Sequence, residues 1–98
     1  MKTKSLEKYF AKQMKNKAYA KAYEEIHYLV DIGVNIAFLR DKAGLSQGQL
    51  AKKIGTTQSV VSRIENANQN LTLKMLMKIA RALHCELFMQ LKPAKMAA

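Results

Sequence analysis

The stretch from residue 44 to residue 66 leaves the chain little choice of structure. Ser46 stands just before an apolar periodic run, where its hydroxyl can accept an orphan backbone N–H of a first helical turn. Leu50, Ala51 and Ile54 then recur at spacings of three and four, on one face of a helix. Gly55 stops that helix where a residue with positive φ is wanted. Thr57 caps a second helix, whose dry stripe is Val61 and Ile64. Ala51 is small at the point where the two helices must cross closely. Gln58, Ser59, Ser62 and Arg63 fall off the Val61 and Ile64 stripe and are expected to point outward. Two aliphatics on one side and Gln, Ser, Ser and Arg on the other suit a helix that lies in a DNA major groove.

Charge narrows the partner. The chain has 98 residues, enough for one domain, with 17 Lys and Arg against 7 Asp and Glu and a net charge of +10. So basic a short chain implies a polyanion, nucleic acid before an anionic membrane. The charge is uneven: residues 1–30 hold seven Lys against three Glu, and residues 67–98 hold five basic residues against Glu86. The stretch between is only mildly basic, so recognition there rests on hydrogen bonds while the flanks supply attraction. Cys85 is the only cysteine, which excludes an intramolecular disulfide or a Cys-rich zinc site and fits a reducing, cytoplasmic setting. No run reaches signal-peptide or membrane-span length.

The one proline, Pro93, comes late, so everything before it is free to be helical. Leu6, Phe10 and Met14 make a short amphipathic helix over 5–14. After a weak break at 15–17 the pattern resumes over 18–32, with Tyr19, Tyr23, Ile26 and Val30 on one side. Gly33 costs roughly 1 kcal/mol in a helix interior relative to Ala, which predicts a junction or a close helix contact there. A further helix over 34–43 buries Ile36 and Leu39. Thr72 caps the next, which buries Leu73, Leu76, Ile79, Ala80 and Leu83. Residues 86–91 then alternate, with Leu87, Met89 and Leu91 on one face, which signals a strand. A lone strand needs a partner, and the economical one is the same strand of a second copy across a two-fold axis.

The assembled pattern resembles the Cro/phage-repressor (XRE) helix-turn-helix family. Ile32-Gly33, Ile36, Leu39-Arg40, residues 44–47, Leu50-Ala51, Gly55, Gln58-Ser59 and residues 61–65 carry the likeness, over about residues 32–83. The ending over 84–93 resembles XRE-type antitoxins, and the lead-in over 17–25 resembles, less specifically, HigA-like antitoxins. The fold implied is all-α: a five-helix Cro/repressor-like helix-turn-helix domain with an N-terminal helical extension and one C-terminal β-strand paired across a dimer. The expected organisation is an arm over 1–30, the DNA-binding domain over 31–84, a dimerisation strand over 85–92 and a flexible tail over 93–98. The resemblance implies base reading by Gln58, Ser59 and Arg63, with Gln58 suited to adenine and Arg63 to guanine. It implies phosphate or groove-edge contacts from Ser46, Gln47, Thr57, Ser62 and Asn66, and a structural ion pair between Arg40 and Glu65. It makes Tyr19, Tyr23 and Ile26 candidate contacts to a toxin. The chain departs from the family at two positions where glycine is usual, Ala67 after the reading helix and His84 after the next.

The function expected is that of a sequence-specific repressor, reading a palindromic operator as a homodimer. It would be the antitoxin of a type II pair, neutralising a RelE/HigB-like mRNA nuclease and repressing its own operon. One alternative is a stand-alone phage or plasmid-type regulator; another is a protein-binding module whose helix-turn-helix no longer reads DNA. Plainer readings stand beside these. Residues 46–66 also suit an ordinary helical hairpin, Arg63 a solvated arginine, and the Tyr19, Tyr23 and Ile26 stripe a piece of core. His27 and His84 are far apart with no acidic or Cys companions, so no metal is expected. Glu24 and Glu25 are adjacent and cannot form a carboxylate dyad. With no nucleophile constellation and no phosphate-cradling glycine loop, neither an enzyme nor a cofactor is expected.

Overall fold

The computed structural model describes residues 17–94, without the side chains of Tyr19, Tyr23 and Glu25. The expected helix over 5–14 and the end of the tail lie outside these residues. Four helices are present among them: α1 (Lys17–Lys42), α2 (Gln47–Ile54), α3 (Gln58–Glu65) and α4 (Leu73–Ala82). α3 packs on both α2 and α1, and α2 also packs on α4.

The expected junction at Gly33 is absent. The two helices predicted on either side of it are one helix of 26 residues, about 39 Å long. Gly33 is tolerated because it is buried against the C-terminal end of α3: a Cβ there would lie 2.7 Å from the Ile64 carbonyl oxygen and 2.8 Å from that of Glu65. The close helix contact was therefore the right alternative. α1 also crosses the expected boundary at residues 30 and 31, so the arm and the domain share one continuous element.

The core is Ile36 of α1, Leu50, Ala51 and Ile54 of α2, Val61 and Ile64 of α3, Ile79 of α4 and Leu83. Leu50 and Val61 are essentially inaccessible, which fits their places on the two dry stripes. Leu73, expected inside, is exposed. It is the first residue of α4, where the chain has only just turned onto the core. None of the described side chains in the first half of α1 belongs to the buried cluster, and Ile26 and Tyr28 are exposed.

The helix ends from the C-terminus of α1 onward are built from hydrogen bonds that the sequence supplies. Ser46, Thr57 and Thr72 accept the backbone N–H of the residue three further on, and Gln49 returns a bond from its Oε1 to the Ser46 N–H at 2.8 Å. One pattern closes all four C-termini. A residue one or two places beyond the helix bonds back three positions and its successor bonds back five, as in Gly44 to Asp41 and Leu45 to Arg40. Gly55 and Thr56, Ala67 and Asn68, and His84 and Cys85 repeat it. It demands a left-handed residue, and φ is 72° at Gly44, 76° at Gly55, 60° at Ala67 and 55° at His84. Ala67 and His84 thus keep the geometry glycine would give, at roughly 1–2 kcal/mol each for a residue with a Cβ.

No strand forms among the described residues. The expected pairing over 85–92 is not made within the single chain, where a lone extended segment has no ladder to join. Leu87 is half-buried, and Phe88, Met89 and Leu91 are exposed.

Candidate nucleic-acid interface

The wet face of α3 and the first residue of α2 meet in one cleft. Gln47, Gln58, Ser59, Ser62 and Arg63 line it, with a volume of about 510 Å³. Turn geometry explains this convergence. The turn from Gly55 to Thr57 lays α3 against α2, and from there the Gln58 side chain reaches the first turn of α2. A Cβ on Gly48 would lie 3.8 Å from Gln58 Oε1, which shows how closely the Gln58 side chain lies over the first turn of α2. All three expected base readers and two of the five expected phosphate contacts thus share one surface. Ser46 and Thr57 are exposed, each with its hydroxyl oxygen accepting a capping N–H. Asn66 is exposed and turns back on its own helix, its Nδ2 donating to the Ser62 carbonyl at 2.8 Å.

Behind the cleft lies a nearly dry polar network. Arg40 donates from Nε to Glu65 Oε2 at 2.7 Å and from Nη2 to Glu65 Oε1 at 3.1 Å, and its Nη1 donates to the Leu45 carbonyl at 2.7 Å. The side chains of Arg40 and Glu65 keep only 16% and 5% of their accessible surface. Fully bonded, the pair ties α1 and the loop after it to the end of α3. The hydrogen bonds that Arg40 donates to Glu65, helped by the carboxylate's charge, hold the guanidinium above its ordinary pKa against the opposing effect of burial. The expected ion pair is present, and it does one thing more. Gln47 Nε2 donates to Glu65 Oε1 at 2.9 Å, which fixes the Gln47 amide and leaves its second N–H and its oxygen for the cleft.

Gln69 was not singled out in the sequence. It lies in the polar loop after α3, and its Oε1 accepts from Arg63 Nε at 3.0 Å. That bond holds the guanidinium by its inner nitrogen and leaves both Nη groups for a partner such as guanine O6 and N7. Its only sequence signal was a carboxamide six residues beyond the arginine. Arg63 is the single charge on the cleft, since Glu65 is neutralised from behind.

No cluster of three or more His, Cys, Asp or Glu with metal-binding geometry occurs among the described residues, and none of their helices is long and apolar enough to cross a membrane. Of the expected toxin contacts, Ile26 is exposed on α1, whereas the Tyr19 and Tyr23 side chains lie outside the described structure.

Two short capped helices set at a glycine turn, with an amide and guanidinium cleft on the second, define a helix-turn-helix DNA-binding protein. A family model described as Helix-turn-helix matches residues 36–88, and the chain belongs to that family, in its Cro/C1 (XRE) type. The chain is 35% identical over 77 residues to antitoxin HipB of Escherichia coli (strain K12), covering 79% of this chain and 85% of that protein. It is 39% identical over 56 residues to the competence pilus inhibition repressor of Acinetobacter baylyi, covering 57% and 51%. A solved structure, the restriction-modification controller protein C.AhdI from Aeromonas hydrophila, matches with a TM-score of 0.58 at 38% identity, over 59% of this chain and 84% of that one.

Proposed function

We propose that this chain is a dimeric, sequence-specific repressor and the antitoxin of a toxin–antitoxin pair, acting in the cytoplasm. The observation that carries the DNA half is the convergence of Gln47, Gln58, Ser59, Ser62 and Arg63 on one cleft. Gln58, Ser59 and Arg63 read base edges. Gln47, held by Glu65, meets a phosphate together with the N-terminal amides of α2, and Ser46, Thr57, Ser62 and Asn66 border the groove. Two copies place their α3 helices about 34 Å apart on a palindromic operator. Titration of the purified protein against duplexes from its own upstream region tests this: a palindrome bound no tighter than scrambled DNA at moderate salt refutes it.

The dimer reading draws on Phe88, Met89 and Leu91, apolar residues left in the open, and on the alternation of Leu87, Met89 and Leu91. Pairing residues 85–92 across a two-fold axis would cover them. In sedimentation, Met89→Lys with Leu91→Lys is expected to convert dimer to monomer, and an unchanged dimer removes the strand from the interface.

The antitoxin reading draws on the likeness to antitoxin HipB and on Ile26 and Tyr28, large apolar side chains left exposed in the first half of α1. The likeness of residues 17–25 to HigA-like antitoxins favours a RelE/HigB-type nuclease as the toxin, whereas the likeness to HipB bears only on the antitoxin class. Deleting residues 1–28 is expected to abolish toxin binding and leave operator binding; toxin binding that survives the deletion refutes the arm's role. The controller and repressor relatives favour a second reading, a regulator with no toxin. A neighbouring toxin reading frame separates the two.

A further inference from the structure

We propose that the groove between the C-terminal ends of α2 and α4 is a second DNA-binding surface, one that holds the sugar-phosphate backbone without reading bases. It rests on the reading of this chain as a DNA-binding protein and assigns a task that the reading cleft does not perform. The groove is about 560 Å³ in volume, and Lys52, Lys53, Lys78, Arg81 and His84 converge on it. No acidic residue lines it, and among the described residues none of these five side chains forms a hydrogen bond or an ion pair.

Basic residues in a last helical turn are ordinary partners of the helix dipole, and that accounts for Lys52 and Lys53 on α2 and Arg81 on α4 taken one helix at a time. It does not account for two helix ends opening into the same groove with Lys78 and His84 added. Four full positive charges gathered there repel one another until an anion with several charges lies among them. His84 adds a separate observation. It holds a left-handed conformation, φ 55°, that glycine would adopt without strain, and its side chain lines the groove.

DNA is the polyanion this placement favours. The reading cleft offers one cation, Arg63, which is too little to gather a duplex, whereas the groove offers four. Gly55, which lines the groove, begins the three-residue turn that leads into α3. Lys and Arg suit phosphate oxygens as point charge and as fork, and His84 adds a ring N–H.

The test uses the full chain and a 30-bp duplex of random sequence, so that no operator is involved. Affinity is measured across roughly 50–200 mM salt for the wild type and for the variant K52Q/K53Q/K78Q/R81Q, with helicity monitored to establish folding. Each phosphate contact contributes about 0.9 to the slope of log affinity against log salt, so losing four is expected to shrink the slope by about 3.6. Replacing four exposed lysines elsewhere, as K17Q/K21Q/K42Q/K92Q, removes the same charge and is expected to change the slope far less. An equal change in both variants reduces the effect to net charge and overturns the proposal. An unchanged slope in the groove variant, with poly-glutamate binding lost, assigns the groove to an acidic polypeptide and also overturns it. Failure of operator reading leaves this measurement intact, because random DNA carries it.

Discussion

Gly33 and Gly48 both sit inside helices, and the same substitution is expected to act on them in opposite directions. Helix propensity alone favours Ala at either position by about 0.5–1 kcal/mol. At Gly48 the new methyl group would meet nothing nearer than 3.8 Å, so the gain is realised and Gly48→Ala is expected to stabilise the fold by up to that amount. At Gly33 the methyl group would fall 2.7 Å and 2.8 Å from two carbonyl oxygens and 3.1 Å from a carbonyl carbon, whereas an optimal carbon contact is about 3.5–4.0 Å. All three atoms are backbone, so no rotamer change relieves the clash and α1 must move away from α3 by several tenths of an ångström. Overpacking of this kind costs typically about 1–3 kcal/mol, and rigid backbone neighbours place Gly33 toward the upper end. Set against the propensity gain, Gly33→Ala is expected to lose about 1–2 kcal/mol, or roughly 5–15 °C in Tm for a domain of this size. Urea titration followed by circular dichroism measures both variants against the wild type. Because Glu65 is one of the two carbonyls displaced, operator affinity is expected to fall in Gly33→Ala as well. A Gly33→Ala protein as stable as the wild type would refute the reasoning, since it would mean that the α1 and α3 contact yields without cost.

Ala67→Gly relieves a left-handed strain of roughly 1–2 kcal/mol while adding about 0.4–1 kcal/mol of unfolded-state entropy, so a net gain of up to about 1 kcal/mol is expected by thermal melting. Glu65→Ala strands the Arg40 guanidinium in a nearly dry site and frees Gln47; a loss of about 3–5 kcal/mol is expected in urea unfolding. Gln58→Ala and Arg63→Ala are each expected to cost about 1–3 kcal/mol of operator binding without a change in Tm, measured by fluorescence anisotropy. Gln69→Ala is expected to relax discrimination at the base pair read by Arg63 more than it lowers affinity overall, measured with operators altered at single positions.

Local signals carried the central stretch. Ser46, Gly55 and Thr57 act on bonds within their own turns, and Leu50, Val61 and Ile64 sit on stripes of the right period, so the reading helix and its outward face were legible. What crosses between elements was not. Gly33 reads as a helix breaker until α3 is laid against it, and only then does the missing Cβ become a requirement. Ala67 and His84 read as poor replacements for glycine, yet the hydrogen bonds that close α3 and α4 hold them in glycine's conformation. The Arg40 and Glu65 pair came from resemblance, whereas the hold of Glu65 on Gln47 and of Gln69 on Arg63 emerged only from the packed side chains. The cationic groove joins residues 52 and 53 to residues 78, 81 and 84, and no periodicity links positions so far apart.

The unbroken run of α1 through Gly33 has a mechanical consequence. A break at that glycine would have left residues 17–28 on a hinge, and anything gripping them would have swung independently of the DNA-facing surface. Instead they form the outer part of a single lever about 39 Å long, whose fulcrum is the bare Cα of Gly33 against the Ile64 and Glu65 carbonyls. A sideways load on the outer half of that lever therefore bears directly on the last residues of α3.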